Sequence, residues 1–270
     1  MIIKYVNHMG QEVNLNQKPY KMLISDLLDY EWEVCTSANK IVGFGYDVKE
    51  KSLNIDVHRD SVASARENTN ALTELFEIDI LSGAPGKLYI DEQYMVCYIK
   101  SSEKDNWETN QIIQCEYGII TDHPFWIRER PYYFKAAEIT STNNKRYPGR
   151  YAYRYANGLN NTSITNEHYA ECNFLLRIYG PCLKPSVYIG GHEYHVDITL
   201  EDGEYLEIDS AEETVIKYMS SGIRVNAFHN RSFQNSVFLP IQTGQQDVFW
   251  DGKFDFDLIL YEERSEPRWS

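Results

Sequence analysis

Basic side chains are in short supply in this sequence. Lys and Arg number 26 against 40 Asp and Glu in 270 residues, a formal net charge of −14, and the isoelectric point lies near 4.9. The summed field of such a chain repels phosphate and anionic lipid at neutral pH, which disfavours ordinary binding to a nucleic-acid backbone. The acid is not gathered in a tail. Residues 1–135 hold 14 basic and 21 acidic side chains and residues 136–270 hold 12 and 19, so each half carries −7. Glycine and proline are also sparse, at 15 and 9 residues, which excludes collagenous and low-complexity classes. Five cysteines, an odd number without C-x-x-C spacing, argue against a zinc ribbon and fit a reducing compartment. No window approaches the roughly 18 apolar residues of a membrane-spanning helix. The stretch MIIKYVNHMGQEVNL lacks a charged leader followed by a sustained apolar run, so no signal peptide is expected. The nucleophile motif G-x-S-x-G is absent. Gly43-Phe44-Gly45 has no third glycine and no helix after it, and reads as a strand irregularity rather than a phosphate loop.

What is present in quantity is aromatic and hydrophobic: 21 Tyr, 11 Phe and 5 Trp, with 43% of the chain hydrophobic. Aromatic residues suit pleated strands and buried contact surfaces, so a mostly β fold is expected. The length admits one large or two ordinary domains, and two fits better. Short apolar runs IIKYV, IVGFGYDV and LNIDV read as strands, while LISDLL is ambiguous between strand and short helix. In RDSVASARENTNALTELFEI, Val62, Ala65, Thr69, Leu72, Leu75 and Phe76 recur at helical spacing, which predicts one α-helix over about 61–78. After it, LYI, Asp91-Glu92 and YMVCYIKSS read as a hairpin, and residues 106–120 as another strand. The runs from CNFLLRIYG to KFDFDLILYEE, FLPI among them, predict about nine short strands and a β-sandwich or jelly roll. Asp202-Gly203 and Asp251-Gly252 are tight-hairpin signals there. The expected organisation is a domain over 1–134, a polar connection over 135–170 and a sandwich domain over 171–270.

Three clusters hold side chains of types that carry chemistry. His192-Glu193-Tyr194-His195-Val196-Asp197 gathers metal-type donors, but on a strand His192 and His195 point to opposite faces, and a solvated strand face is expected. Asp255 and Asp257 alternate with Phe254 and Phe256, the pattern of a strand with Phe inward rather than of a calcium loop. A glycosidase carboxylate pair cannot be nominated among so many acids. No catalytic, cofactor-binding or metal-ligating residue is assigned. The one basic stretch contains Lys145, Arg146, Tyr147, Arg150, Tyr151, Tyr153, Arg154 and Tyr155, cations interleaved with tyrosines. It is a candidate interface with an acidic neighbour, either the other domain or another subunit; stacking on a nucleic acid or sugar is the alternative.

The order of these features resembles a known family. Gly86, Leu88, Tyr94 to Ser102 and Pro124-Phe125-Trp126 are similar to motifs in the N-terminal half of the siphophage distal tail protein (Dit) family. Lys184-Pro185, Leu200 to Asp209 and Thr214-Val215 resemble its C-terminal sandwich, with Lys184 where the family tends to have Asn. The resemblance implies a β-rich belt domain with one helix, a galectin-like β-sandwich, and a structural role without catalytic residues or cofactor. It further implies a homo-hexameric ring at a phage or prophage tail tip, in the virion, from a protein made in the bacterial host cytoplasm. Implied partners are the tail tube protein, the tape measure protein and the tail-tip hub, with a receptor-binding protein or cell-surface glycan on the outer domain. DNA would pass an acidic ring wall without being bound. The alternatives are a carbohydrate-binding β-sandwich adhesin and, behind it, a glycoside hydrolase.

Overall fold

A computed structural model of the chain describes residues 1–23, 26–58, 62–105, 112–136 and 160–268. It is mostly β, with one α-helix among the described residues. The chain divides into two compact units, one built from Met1–Arg128 together with the segment that begins at Glu263, the other from Glu129–Glu262.

The first unit is one antiparallel ladder that curls on itself. In spatial order its strands are Glu12–Asn14, Ile3–Val6, Gly86–Ile90, Gln93–Asp105, Ile112–Thr121, Lys49–His58 and Tyr20–Leu23. Leu15 joins the two ends, its N–H reaching the Ile3 carbonyl at 2.7 Å and its carbonyl accepting from Met22 N–H at 2.8 Å. The alternation of Ile3, Tyr5, Leu53, Ile55, Val57, Leu88, Ile90, Ile113, Cys115, Tyr117 and Ile119 sends one face of these strands inward, as period-2 patterning requires. The hairpin expected around Asp91-Glu92 is present, with Asp91 at φ 52° in its turn. LISDLL resolves at Asp26–Leu28 as a single 3₁₀ turn.

The helix runs over Val62–Ser82 and lays Ala65, Thr69, Leu72, Phe76 and Asp79 against that core. Steps of four, three, four and three keep these residues on one stripe. Its end is sharply defined: Gly83 takes φ 63°, with Gly83 N–H on the Ile80 carbonyl and Ala84 N–H on the Asp79 carbonyl, both at 3.1 Å. A left-handed glycine closing these two bonds is the Schellman arrangement, and Pro85 prevents continuation.

The second unit is a two-sheet sandwich. One sheet carries Arg224–Asn226, Thr214–Tyr218, Tyr205–Asp209, Asn173–Tyr179 and the strand that starts at Phe256; the other carries Asn160–Asn166, Gly244–Trp250, Ser186–Ile189 and His192–His195. Both inner faces meet in one core that includes Phe174, Leu176, Ile208 and Leu258 from the first sheet and Ile164, Val187, Tyr194 and Trp250 from the second, the layered packing of a sandwich.

Three local expectations need correction. Asp202-Gly203 and Asp251-Gly252 are tight turns, with Gly203 at φ 75° and Gly252 at φ 71°, yet neither closes a hairpin. Thr199–Leu200 pairs with Cys182–Leu183, whereas Tyr205–Asp209 pairs with Asn173–Tyr179 and Thr214–Tyr218. Gly244–Trp250 and the strand from Phe256 lie in different sheets. The glycines turn corners between sheets, a use that local sequence does not distinguish from a hairpin. FLPI is not a strand: Pro240 lacks a ladder donor, and only Ile241 makes an isolated bridge, to Cys172. Within the segment expected as a polar connection, Asn160–Asn166 is a strand, paired along its length with Gly244–Trp250. Ile164 alone in that strand is a buried hydrophobic, so the ladder is set by backbone pairing more than by apolar pattern.

Candidate functional site

Among the described residues of the first unit, exposed apolar side chains gather on the hairpin Glu33–Ser37 and Lys40–Gly45. Ala38 and Asn39 form its two-residue tip at φ 48° and 61°, the doubly left-handed turn that matches strand twist. Val34 lies opposite Phe44 and Thr36 opposite Ile41, with a register shift between Cys35 and Thr36 that leaves Val42 as the extra residue. Opposed residues share a face, so the bulge sets Val34, Thr36, Ile41 and Phe44 on one side, although Ile41 and Phe44 are three apart in sequence. Ile41 and Phe44 are each 63% exposed. A strand pair with both faces in solvent buries too little to hold itself in place.

It is held at its base instead. Trp32 and Tyr46, just outside the hairpin, pack with His123 and Phe125: Tyr46 and Phe125 centroids are 4.9 Å apart, Trp32 and Phe125 5.6 Å, and His123 and Phe125 5.0 Å. Glu33 and Lys49 form an ion pair at 2.6 Å beside them. The Pro124-Phe125-Trp126 motif therefore has divided roles. Trp126 is buried in the core of the unit, while Phe125 supports the base of the hairpin.

A second feature lies where the last turns of the helix pass over strand Gln93–Asp105. That strand has its own register shift between Ile99 and Ser101, and the gap above it is a cavity of about 330 Å³ lined by Thr73, Phe76, Ile80, Leu81, Ile99 and Tyr117, with Glu77 and Lys100 at its polar side. Leu81 is 85% exposed at its rim. Lys100 is held by Glu50 at 2.5 Å. The helix beside the cavity has no basic residue in its last turn, so its carbonyl-end partial negative charge has no cation on the helix to offset it.

The sequence-nominated residues fall elsewhere. Lys145, Arg146, Tyr147, Arg150, Tyr151, Tyr153, Arg154 and Tyr155 lie outside the described residues. In the histidine cluster, His192 Nε2 meets the Ser236 carbonyl at 2.7 Å and His195 Nδ1 the Pro185 carbonyl at 3.0 Å. Glu193 accepts from Ser186 Oγ and Tyr188 Oη, both at 2.7 Å, and these bonds hold its carboxyl below the ordinary value. Asp197 pairs with Lys184. The donors are thus taken up separately. Phe254 and Phe256 are buried, while Asp255 accepts from Ala136 N–H at 2.7 Å and Lys135 Nζ at 2.8 Å, and Asp257 from Tyr179 Oη at 2.7 Å. The backbone bond first, then Lys135, lowers the Asp255 pKa. IVGFGYDV was legible as a strand over 41–48, whereas its partner Glu33–Ser37 and the exposure of both strands were not. The available signal was Ile41, Val42, Phe44, Tyr46 and Val48 on both strand parities, with a single charge, Lys40, between Val34 and Tyr46.

No family model and no curated protein matches the chain. Solved structures do. A chain of the phage P2 baseplate in its activated conformation with calcium matches at TM-score 0.64 and 13% identity, over 98% of this chain and 99% of that one. The same baseplate activated with strontium gives TM-score 0.64 and 13% identity over the same shares. The Dit protein of phage SPP1, described as a paradigm of the hub adsorption apparatus in phages that infect Gram-positive bacteria, matches at TM-score 0.58 and 10% identity over 98% and 100%. The chain has the fold of these baseplate and hub proteins from end to end.

Proposed function

We propose that this protein is a distal tail protein, a structural part of a phage or prophage tail tip that joins the tail tube to the adsorption apparatus. The observation that carries the reading is whole-chain coverage: both units, in order, are matched in the P2 baseplate chain and in SPP1 Dit. A shared single domain would support much less, because a β-sandwich alone hosts many functions.

In this reading residues 1–134 form a homo-hexameric belt, 171–270 an outer galectin-like sandwich, and the Tyr- and Arg-rich stretch around Lys145 to Tyr155 an interface with an acidic neighbour. The tail tube, tape measure and tail-tip hub proteins are the partners along the axis. The net charge of −14 suits a ring through which DNA passes, since a negative wall keeps the polyanion from sticking. The role is structural rather than enzymatic.

Native mass spectrometry with negative-stain imaging tests this. Rings of six copies are expected at high protein concentration. A protein that stays monomeric and binds cell-wall glycan would replace the reading with that of an adhesin.

A further inference from the structure

The first unit carries an apolar projection and an apolar hollow, and among the described residues neither is covered or filled. The projection is the face Val34, Thr36, Ile41 and Phe44 of the hairpin, raised on its aromatic base. The hollow is the cavity of about 330 Å³ between the helix end and strand Gln93–Asp105, floored by Phe76, Ile99 and Tyr117 and rimmed by Ile80 and Leu81.

We propose that the hairpin of one copy seats in the cavity of the next copy, with Lys40 beside Glu77 and the carboxyl end of the helix. The inference rests on the ring reading above and names the surfaces that would build the ring. Charge argues for a second copy as the occupant. Copies of a −14 chain repel one another, so a surface through which they meet must be poor in acid. Residues 34–46 contain Lys40 and no acidic side chain. The cavity offers the complement: Lys100 at its edge is already offset by Glu50, and Glu77 and a helix end without a basic residue stand beside it, which favours a cation there. Geometry gives the symmetry. The two surfaces are different, so the contact is head-to-tail rather than two-fold, and a head-to-tail contact repeats into a closed ring when its rotation closes. The bulge at Val42 puts Ile41 and Phe44 on the one face such a contact needs, and the bulge at Lys100 lies beside the hollow that receives them.

Site-specific cross-linking tests the contact. In the full chain carrying Cys35→Ser, Ile41→Cys and Leu81→Cys are introduced together, and the oxidised protein is run on a non-reducing gel. A covalent ladder extending past the dimer, absent when either new cysteine is alone, is the expected result. If native mass spectrometry shows rings of this variant and no ladder forms, the hairpin contact is wrong and the ring stands. Monomers at every concentration would remove the ring and the contact together. Phe44→Glu supplies a second measure: that side chain is exposed, so the variant monomer should keep its folded circular-dichroism spectrum. The concentration needed for assembly should rise at least about 100-fold, and unchanged assembly would again reject the contact alone.

Discussion

Tyr5 donates its hydroxyl to Asp79 Oδ2 at 2.6 Å, and both side chains are completely buried. Asp79 Oδ1 also receives His8 N–H at 2.9 Å and lies 2.6 Å from His8 Nδ1. The first strand and the last turn of the helix are thereby tied at one carboxylate. Burial first, and then neighbours that include Asp79, raise the Tyr5 phenol well above its ordinary value, so it remains a donor across the working pH range.

Tyr5→Phe should remove that donor while keeping the ring, whose edge-on contact with Phe76 at 5.0 Å is unchanged. A buried carboxylate that loses one of its partners costs about 1–3 kcal/mol. Urea unfolding should show a lower midpoint with the same slope. An unchanged midpoint would mean that the bond is balanced by the desolvation of its partners.

Gly86 is demanded by the same knot. A Cβ built at Gly86 collides with the Tyr5 hydroxyl and with Asp79 Oδ2. Gly86→Ala must therefore push apart two groups in a short buried bond, and about 1–3 kcal/mol of destabilisation is expected from overpacking together with the weakened bond. Combining it with Tyr5→Phe should cost less than the sum, since both act on one bond. Full additivity in thermal melts would place the glycine's role elsewhere.

These residues show which parts of the fold were readable. The helix was, because Ala65, Leu72 and Phe76 repeat at its period. Most of the strands were, because buried and exposed positions alternate, and the motif positions Gly86, Leu88 and Trp126 fall where the fold needs a missing Cβ or a filled core. Pairing partners were not readable. An Asp-Gly turn looks the same whether its flanking strands pair or part to different sheets, and only the completed sandwich decides between them. Exposure was hidden for the same reason. Ile41 and Phe44 look like core residues, yet nothing among the described residues of their unit covers them. The knot at Asp79 joins residues 74 positions apart, a separation beyond local pattern.

Neighbouring aromatics in the Pro124-Phe125-Trp126 motif should respond differently to truncation. Trp126 is 1% exposed in the core, so Trp126→Ala should cost about 3–5 kcal/mol and lower the global melting temperature. Phe125→Ala should leave the core standing and loosen the hairpin base. Hydrogen exchange should rise across Glu33–Gly45 and stay unchanged in Lys49–His58, and a global rise would show that Phe125 belongs to the core.

Thiol reactivity should rank by exposure. Cys35 is exposed and Cys97, Cys115 and Cys172 are buried. Burial pushes the Cys97 thiol up to about 12 and the half-buried Cys182 up to about 11, which leaves almost no thiolate at neutral pH. Maleimide at pH 7 should modify Cys35 first, Cys182 slowly, and the other three only after denaturation, as read by intact mass. Fast labelling of Cys97 would mean that strand Gln93–Asp105 opens in the native protein.

Acid should weaken the second unit through Glu193. The hydrogen bonds from Ser186 first and Tyr188 next hold its folded pKa below the ordinary carboxylate value. A depressed acid contributes stability that is fully present above its unfolded value of about 4.3 and is lost as pH falls through the folded one. Glu193→Gln keeps an acceptor for Ser186 but cannot ionise. At pH 6 the variant should unfold at lower urea than the parent, and the gap should close as pH is taken down toward 3. A gap that stays constant across that window would show that the bonds stabilise strand His192–His195 by packing and geometry, with no contribution from the charge.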